Sequence, residues 1–137
     1  MTKAALPSFR GALEEFSPQA LVPVPLGWWR RFRRGFNQSH VLAEQLSREA
    51  SVSLPILTGL RRKEMPPQAR RGRAERLRAM RGAFRVNRPK SFRGLRLLVI
   101  DDVLTTGATA ESLAKSLLQA GAEAVQVWTL ARTGRKE

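Results

Sequence analysis

Residues Leu97–Thr109 read LLVIDDVLTTGAT, and this stretch decides the fold. It opens with four apolar side chains, Leu97 to Ile100. They end the run Leu95–Ile100, which is nearly all apolar, as a strand buried on both faces of a parallel sheet must be. Two adjacent carboxylates follow, Asp101 and Asp102, and then the turn Thr105-Thr106-Gly107-Ala108-Thr109. From Ala110 to Ala120 the residues Leu113, Ala114, Leu117 and Leu118 recur at helical spacing. Gly121 stands where a helix C-terminus takes a left-handed residue. Ala124–Leu130 (AVQVWTL) is a further strand. Strand, helix, strand predicts an α/β fold with a parallel sheet and right-handed crossovers.

The turn carries the chemistry. Ligands of open α/β sheets sit outside the carboxyl ends of the strands. A helix N-terminus offers unpaired N–H groups and the positive end of its dipole, which suits a phosphate. Gly107 lets the backbone come close, and Thr105, Thr106 and Thr109 add hydroxyls. Carboxylates beside a phosphate need another partner; two vicinal sugar hydroxyls or a hydrated magnesium ion would serve. Thr and Gly also cap ordinary βα turns, and paired aspartates can simply be solvated. The coincidence of strand, acids, threonines and helix within 13 residues favours the ligand site. Neither a G-x-x-x-x-G-K-[ST] loop nor a G-x-G-x-x-G turn is present.

Outward from this core, the chain alternates. Ala4–Phe16 suits an amphipathic helix, interrupted by Pro7 if it starts early. Ala20–Val24 is a short extended segment, with Pro23 and Pro25 suited to a strand end. Gly27–Gly35 is a loop, and Phe36–Ala50 a helix with Leu42, Ala43, Leu46 and Ala50 on one face. Leu54–Leu57 is a strand candidate. Thr58–Pro89 reads as a long basic loop holding a short helix, Arg73–Met80, and a short strand, Ala83–Val86. Loops of this length are uncommon unless functional. The 137 residues are expected to form one domain, with a helical segment over 1–19 and a flexible basic loop over 58–90.

Composition narrows the chemistry. Cysteine is absent and His40 is the one histidine, which excludes disulfides, thiolate catalysis and the usual zinc sites. No run approaches the ~18–20 apolar residues of a membrane helix, and Met1–Phe16 lacks the apolar core of a signal peptide, so a cytoplasmic location is expected. Charge is the outlier: 25 basic residues, 20 of them arginine, against 11 acidic give +14. From Leu60 to Arg96 there are 14 basic and two acidic residues, a net +12 over 37 positions. Such a surface attracts polyanions: phosphorylated substrates, nucleic acid or an acidic partner.

Several residues admit two readings. Trp28-Trp29-Arg30-Arg31-Phe32-Arg33-Arg34 can stack single-stranded bases while its arginines track phosphates, or can plug the core edge and bind pyrophosphate. The basic run Arg61–Arg96 is a DNA-tracking surface or a solvated loop serving the phosphate ligand. His40 reads as a surface or packing residue, Asn37 and Gln38 as structural caps, and Trp128 as core or pocket wall.

LLVIDDVLTTGAT resembles the phosphoribosyl pyrophosphate (PRPP) signature of type I phosphoribosyltransferases. VPVPL at Val22–Leu26, RGFNQ at Arg34–Gln38, PPQ at Pro66–Gln68, and AER and RGAF at Ala74–Arg76 and Arg81–Phe84 are similar, in the same order, to the competence protein F (ComF) family. The likeness runs from Leu21 to Arg132, about four-fifths of the chain. It implies a type I phosphoribosyltransferase-like fold, a mainly parallel sheet flanked by helices. Asp101 and Asp102, as the catalytic pair, would accept hydrogen bonds from the ribose hydroxyls. Thr105, Thr106, Gly107, Ala108 and Thr109 would cradle the 5-phosphate. Arg30, Arg31, Arg33 and Arg34 would bind pyrophosphate. Gln68, Arg70, Arg71, Arg73 and Arg76 would belong to a mobile loop over Met65–Arg81. Magnesium would arrive with PRPP, reaching Asp101 and Asp102 at most through water, and no zinc is expected. The implied partners are PRPP or a related ribose phosphate, single-stranded DNA, DNA-uptake proteins and a second copy of the chain. The implied activity is pentosyl transfer in natural competence; the alternative is a PRPP-sensing or DNA-binding module without catalysis.

The chain departs from the family in places. The four-cysteine zinc module has no counterpart, so a short or truncated member is expected. Met65 stands for the usual threonine, Ala79 for an asparagine, and Arg70-Arg71-Gly72 for Gly-Leu-Ser. Little sequence follows the last strand to build a base-recognising hood, which weighs against nucleobase transfer.

Overall fold

Leu97, Leu98, Val99 and Ile100 are all fully buried, and they form the middle of the inner strand of a three-stranded parallel sheet. The computed structural model describes residues 2–25, 38–58, 60–62, 84–104 and 108–132. Its elements are α1 (Thr2–Phe16), β1 (Ala20–Pro23), α2 (Gln38–Ala50), β2 (Leu60–Arg62), β3 (Phe84–Val86), a single 3-10 turn (Pro89–Ser91), β4 (Arg96–Leu104), α3 (Ala108–Gln119) and β5 (Ala124–Arg132). The parallel sheet has the order β1-β4-β5, while β2 and β3 form a separate antiparallel ribbon.

The pleat of β4 divides the core in two. Leu97 and Val99 pack with Ala20, Val22 and Val24 under Leu113 and Leu117 of α3. Leu98 and Ile100 pack with Leu21 and Trp128 under Phe9 of α1 and Leu42, Ala43 and Leu46 of α2. Helices thus cover both faces, as the continuous apolar run requires. Phe9 meets Trp128 edge-to-face at 5.6 Å, and the Trp128 indole N–H donates to Ser8 Oγ at 3.1 Å.

Several expectations are refined. The first helix runs straight through Pro7. Pro7 costs one bond, to the Lys3 carbonyl near the helix start, and Leu6, Phe9, Leu13 and Phe16 hold the rest on the core. Leu54–Leu57 contributes only a parallel bridge at Ile56 to Leu21, because Pro55 has no N–H to extend a ladder. Within the basic segment the expected short strand is present as β3, paired with β2, which the sequence did not indicate; residues 63–83 lie outside the described residues. The expected helix Arg73–Met80 lies outside the described residues.

All three described helices end on left-handed residues, at Ser17, Ser51 and Gly121. After α3 the Ala122 N–H reaches the Leu117 carbonyl (3.1 Å) and the Gly121 N–H the Leu118 carbonyl (3.0 Å), the paired bonds of a Schellman cap. Ser51, with φ 56°, closes α2 by the same pattern through Val52 N–H to the Ser47 carbonyl, 3.0 Å. A serine carries a Cβ penalty there that glycine does not. Ser51→Gly is therefore expected to raise stability by about 1 kcal/mol, read as a higher urea midpoint at constant slope. A lower midpoint would refute this account of the cap.

Candidate functional site

The strand order places the site. From β1 the chain crosses through α2 to Ile56, on the outer side of β1; from β4 it crosses through α3 to β5, on the opposite side. With right-handed crossovers, opposite directions put the two helices on opposite faces, as observed. The order therefore reverses between β1 and β4. Such a reversal is the usual ligand position of open α/β sheets.

Asp101 and Asp102 stand on β4 beside that reversal. They lie within β4 rather than beyond its end, as the apolar run alone suggested, because β5 keeps pairing as far as Leu104↔Arg132. On the other side, β1 ends at Pro23 opposite Ile100, and the Val24 N–H donates to the Ile100 carbonyl at 2.9 Å. β4 thus runs on past the residue that pairs with the end of β1. By strand alternation Asp101 continues the Leu97–Val99 face beneath α3, and Asp102 the Leu98–Ile100 face. Asp101 is only 8% exposed, and Asp102 is half-buried.

The register adds Thr129, which sequence reading missed. On β5 the row facing α3 runs Val125, Val127, Thr129, opposite Leu97, Val99 and Asp101 of β4. Both strands turn from hydrocarbon to polar at the same layer. Only the register between β4 and β5 reveals this, since Thr129 is unremarkable in its own segment.

Of the phosphate-turn residues, Ala108 and Thr109 form the first turn of α3, which begins two residues earlier than the apolar spacing indicated. Thr105, Thr106 and Gly107 lie outside the described residues. So do Arg30, Arg31, Arg33 and Arg34, with Trp28 and Trp29, and so do Gln68, Arg70, Arg71, Arg73 and Arg76.

Three other expectations are settled. Trp128 is core, not pocket wall, with its ring against Phe9 and its N–H on Ser8. His40 lies on the surface of α2, 3.8 Å from Glu44 one turn on. Arg96, the last of the basic run, has its guanidinium bonded to the Phe16 and Ser17 carbonyls and stacked on the Phe16 ring. Among the described residues no group of three or more His, Cys, Asp or Glu could hold a metal, and no helix is long and apolar enough to cross a membrane.

Comparison with known proteins agrees with this architecture. Residues 37–137 match the phosphoribosyl transferase domain family. Competence protein F of Haemophilus influenzae is 37% identical over 118 residues, 84% of this chain and 51% of that protein. DNA utilization protein YhgH of Escherichia coli K12 is 40% identical over 116 residues, 85% of this chain and 50% of that protein. Competence protein ComFC of Bacillus subtilis is 38% identical over 114 residues, 82% and 44% of the two chains. The chain therefore spans about half the length of the curated relatives it matches. Among solved structures, a hypoxanthine phosphoribosyltransferase from Staphylococcus aureus superposes with a TM-score of 0.62 at 15% identity, over 95% of this chain and 61% of that one. A purine phosphoribosyltransferase from Pyrococcus horikoshii gives 0.57 at 17% identity, over 96% and 72%. The strand order, the helices on both faces and these likenesses agree: the chain belongs to the phosphoribosyl transferase domain family, with competence protein F among its relatives.

Proposed function

We propose that the chain binds PRPP or a related ribose phosphate in the crevice between β1 and β4, and transfers its phosphoribosyl group to an acceptor, in a protein serving DNA uptake. The carrying observation is the Asp101–Asp102 pair, set where β4 outruns β1 and leads into α3. Adjacent strand positions face opposite ways, so the two carboxylates border the crevice from two sides. They accept hydrogen bonds from the 2′- and 3′-hydroxyls, while the α3 N-terminus with Thr105–Thr109 holds the 5-phosphate. Arg30, Arg31, Arg33 and Arg34 take the pyrophosphate, and the arginines near Gln68 neutralise charge as it leaves. In the transfer, the acceptor's electron pair forms a bond to the anomeric carbon. The bond to pyrophosphate breaks with its pair on the departing oxygen, and the acceptor gives up a proton.

Two adjacent carboxylates, with no third acidic or imidazole ligand beside them among the described residues, suit a magnesium ion carried by the pyrophosphate and met through water, not one caged by protein. When bound, such an ion stabilises the leaving group's charge. The competence and DNA-utilization names of the relatives support a role in handling incoming DNA.

Calorimetric titration with ribose 5-phosphate, PRPP with magnesium, and 2-deoxyribose 5-phosphate tests the reading. Each charge-assisted hydrogen bond contributes roughly 1.5–3 kcal/mol, so the deoxy sugar should bind at least ~10-fold more weakly. Equal affinity for both sugars, or no heat with any of them, would sink it.

A further inference from the structure

Thr129 stands where a third valine would complete a row. On β5 the face toward α3 carries Val125, Val127 and Thr129, and the two valines pack on the core cluster beneath that helix. Threonine and valine share one shape; a hydroxyl in place of a methyl separates them. A half-buried hydroxyl gains from such a place only if something bonds to it. The Thr129 side chain has no hydrogen-bond partner among the described residues.

Its register partner is Asp101. In a parallel pair such partners lie side by side on one face, about 4.8 Å apart. Asp101 is 8% exposed, and the other described side chains next to it in that layer are apolar: Val99 behind it on β4 and Val24 past the end of β1. A carboxylate accepts hydrogen bonds and donates none, whereas a threonine hydroxyl can donate. Hydrogen bonds between oxygens run about 2.5–3.0 Å, so a single oxygen atom midway between the two side chains can bond both at once.

A sugar hydroxyl has the complementary pattern, one proton to give and lone pairs to receive. Bonded to Asp101 alone, it would leave those lone pairs unmet in a nearly buried place, which is unfavourable. Beside Asp102 the corresponding position of β5 is Leu130, packed on the cluster beneath α1 and α2. The two acids therefore differ in their β5 neighbour, and the hydroxyl on the Asp101 side is the one that can be held from two directions.

We propose that Thr129 is a specificity-determining residue of the ribose-phosphate site: its O–H donates to the same sugar hydroxyl that donates to Asp101. The inference rests on the proposed sugar binding at Asp101 and adds the donor that the two acids lack.

Calorimetric titration of the 137-residue chain with ribose 5-phosphate, 2-deoxyribose 5-phosphate and 3-deoxyribose 5-phosphate tests it. Thr129→Val removes the hydroxyl and keeps the branched shape that suits a strand, so it should fold, as its melting curve will verify. It should bind ribose 5-phosphate about 5-fold more weakly, as the loss of one neutral hydrogen bond requires. Thr129→Ser keeps the donor without the methyl and should recover wild-type affinity within about a factor of two. One of the two deoxy sugars lacks the bridged hydroxyl and should bind wild type and Thr129→Val equally; the other should lose about 5-fold, as ribose 5-phosphate does. Added to Asp101→Asn, Thr129→Val should weaken binding by about 2-fold or less, because both groups grip one oxygen. No binding of any of the three sugars by wild type would overturn the proposal together with the sugar reading. Binding that Asp101→Asn weakens and Thr129→Val leaves unchanged would overturn the proposal alone. So would a loss that serine fails to restore, or a loss of the same size with both deoxy sugars, since either makes Thr129 a packing residue.

Discussion

Asp101→Asn and Asp102→Asn should each weaken ribose 5-phosphate binding about 10-fold, and the double variant about 100-fold. Asparagine keeps the size of aspartate and can still accept a hydrogen bond, but the bond is no longer charge-assisted. The difference between a charged and a neutral hydrogen bond is roughly 1–1.5 kcal/mol, which sets the factor for each site. Stability should move the other way, or not at all, at Asp101. That carboxylate is nearly buried, in a row that holds Leu97 and Val99 on its own strand and Val24 near the end of β1. Holding a charge in such surroundings has a desolvation cost that a neutral amide would relieve. A function-first residue loses binding without losing stability. If Asp101→Asn instead lowers the unfolding free energy by more than ~1 kcal/mol while binding persists, the carboxylate is a structural group and the crevice reading fails. Half-buried Asp102 should change stability little, so the two variants form an internal control.

The parts of this fold that local chemistry dictates could be read from the chain. Leu97–Ile100 admits no other placement than a strand covered on both sides. Leu113 and Leu117 recur at one turn and lie on the core, and Gly121 takes the positive φ that its position after α3 demands. The acids and the threonine turn were legible because their types conflict with a plain βα connection. What escaped depended on partners distant in sequence. The strand β2, Leu60-Arg61-Arg62, has neither alternation nor β-branched residues, and exists by pairing with Phe84–Val86 across more than twenty intervening positions. Thr129 joins the candidate site only through a register with β4. Ser51 adopts a glycine conformation because the chain must turn back after Ala50, and nothing about a serine announces it. The reversal of strand order between β1 and β4, which locates the candidate site, belongs to topology and to no single segment.

Arg96 shows how far such a distant partner can change a residue's meaning, and its removal should be among the costliest single changes in the chain. By composition it closes a run of cations. In the fold it ties the end of α1 to the start of β4, 80 residues on. Its Nε donates to the Phe16 carbonyl at 3.0 Å, Nη2 reaches the same oxygen, and the guanidinium lies 4.6 Å from the Phe16 ring centroid. Beside it, the Arg96 N–H donates to Gln19 Oε1 at 2.9 Å and the Gln19 N–H to the Arg96 carbonyl at 2.8 Å. The carbonyls it caps are orphans at a helix C-terminus, where a cation also meets the negative end of the dipole. Glu123, 3.7 Å away and largely exposed, adds little. A charged hydrogen bond contributes roughly 1.5–3 kcal/mol and the stacked cation about 0.5–1 kcal/mol, so Arg96→Ala should cost about 3 kcal/mol. At roughly 3–5 °C per kcal/mol for a domain of this size, the melting temperature should fall by about 10 °C. Arg96→Lys should recover less than half of that, because an ammonium cannot bond the carbonyl and stack on the ring at once. A loss below ~1 kcal/mol in Arg96→Ala would mean that water satisfies the α1 terminus equally well, and that Arg96 is one more solvated cation of the basic run.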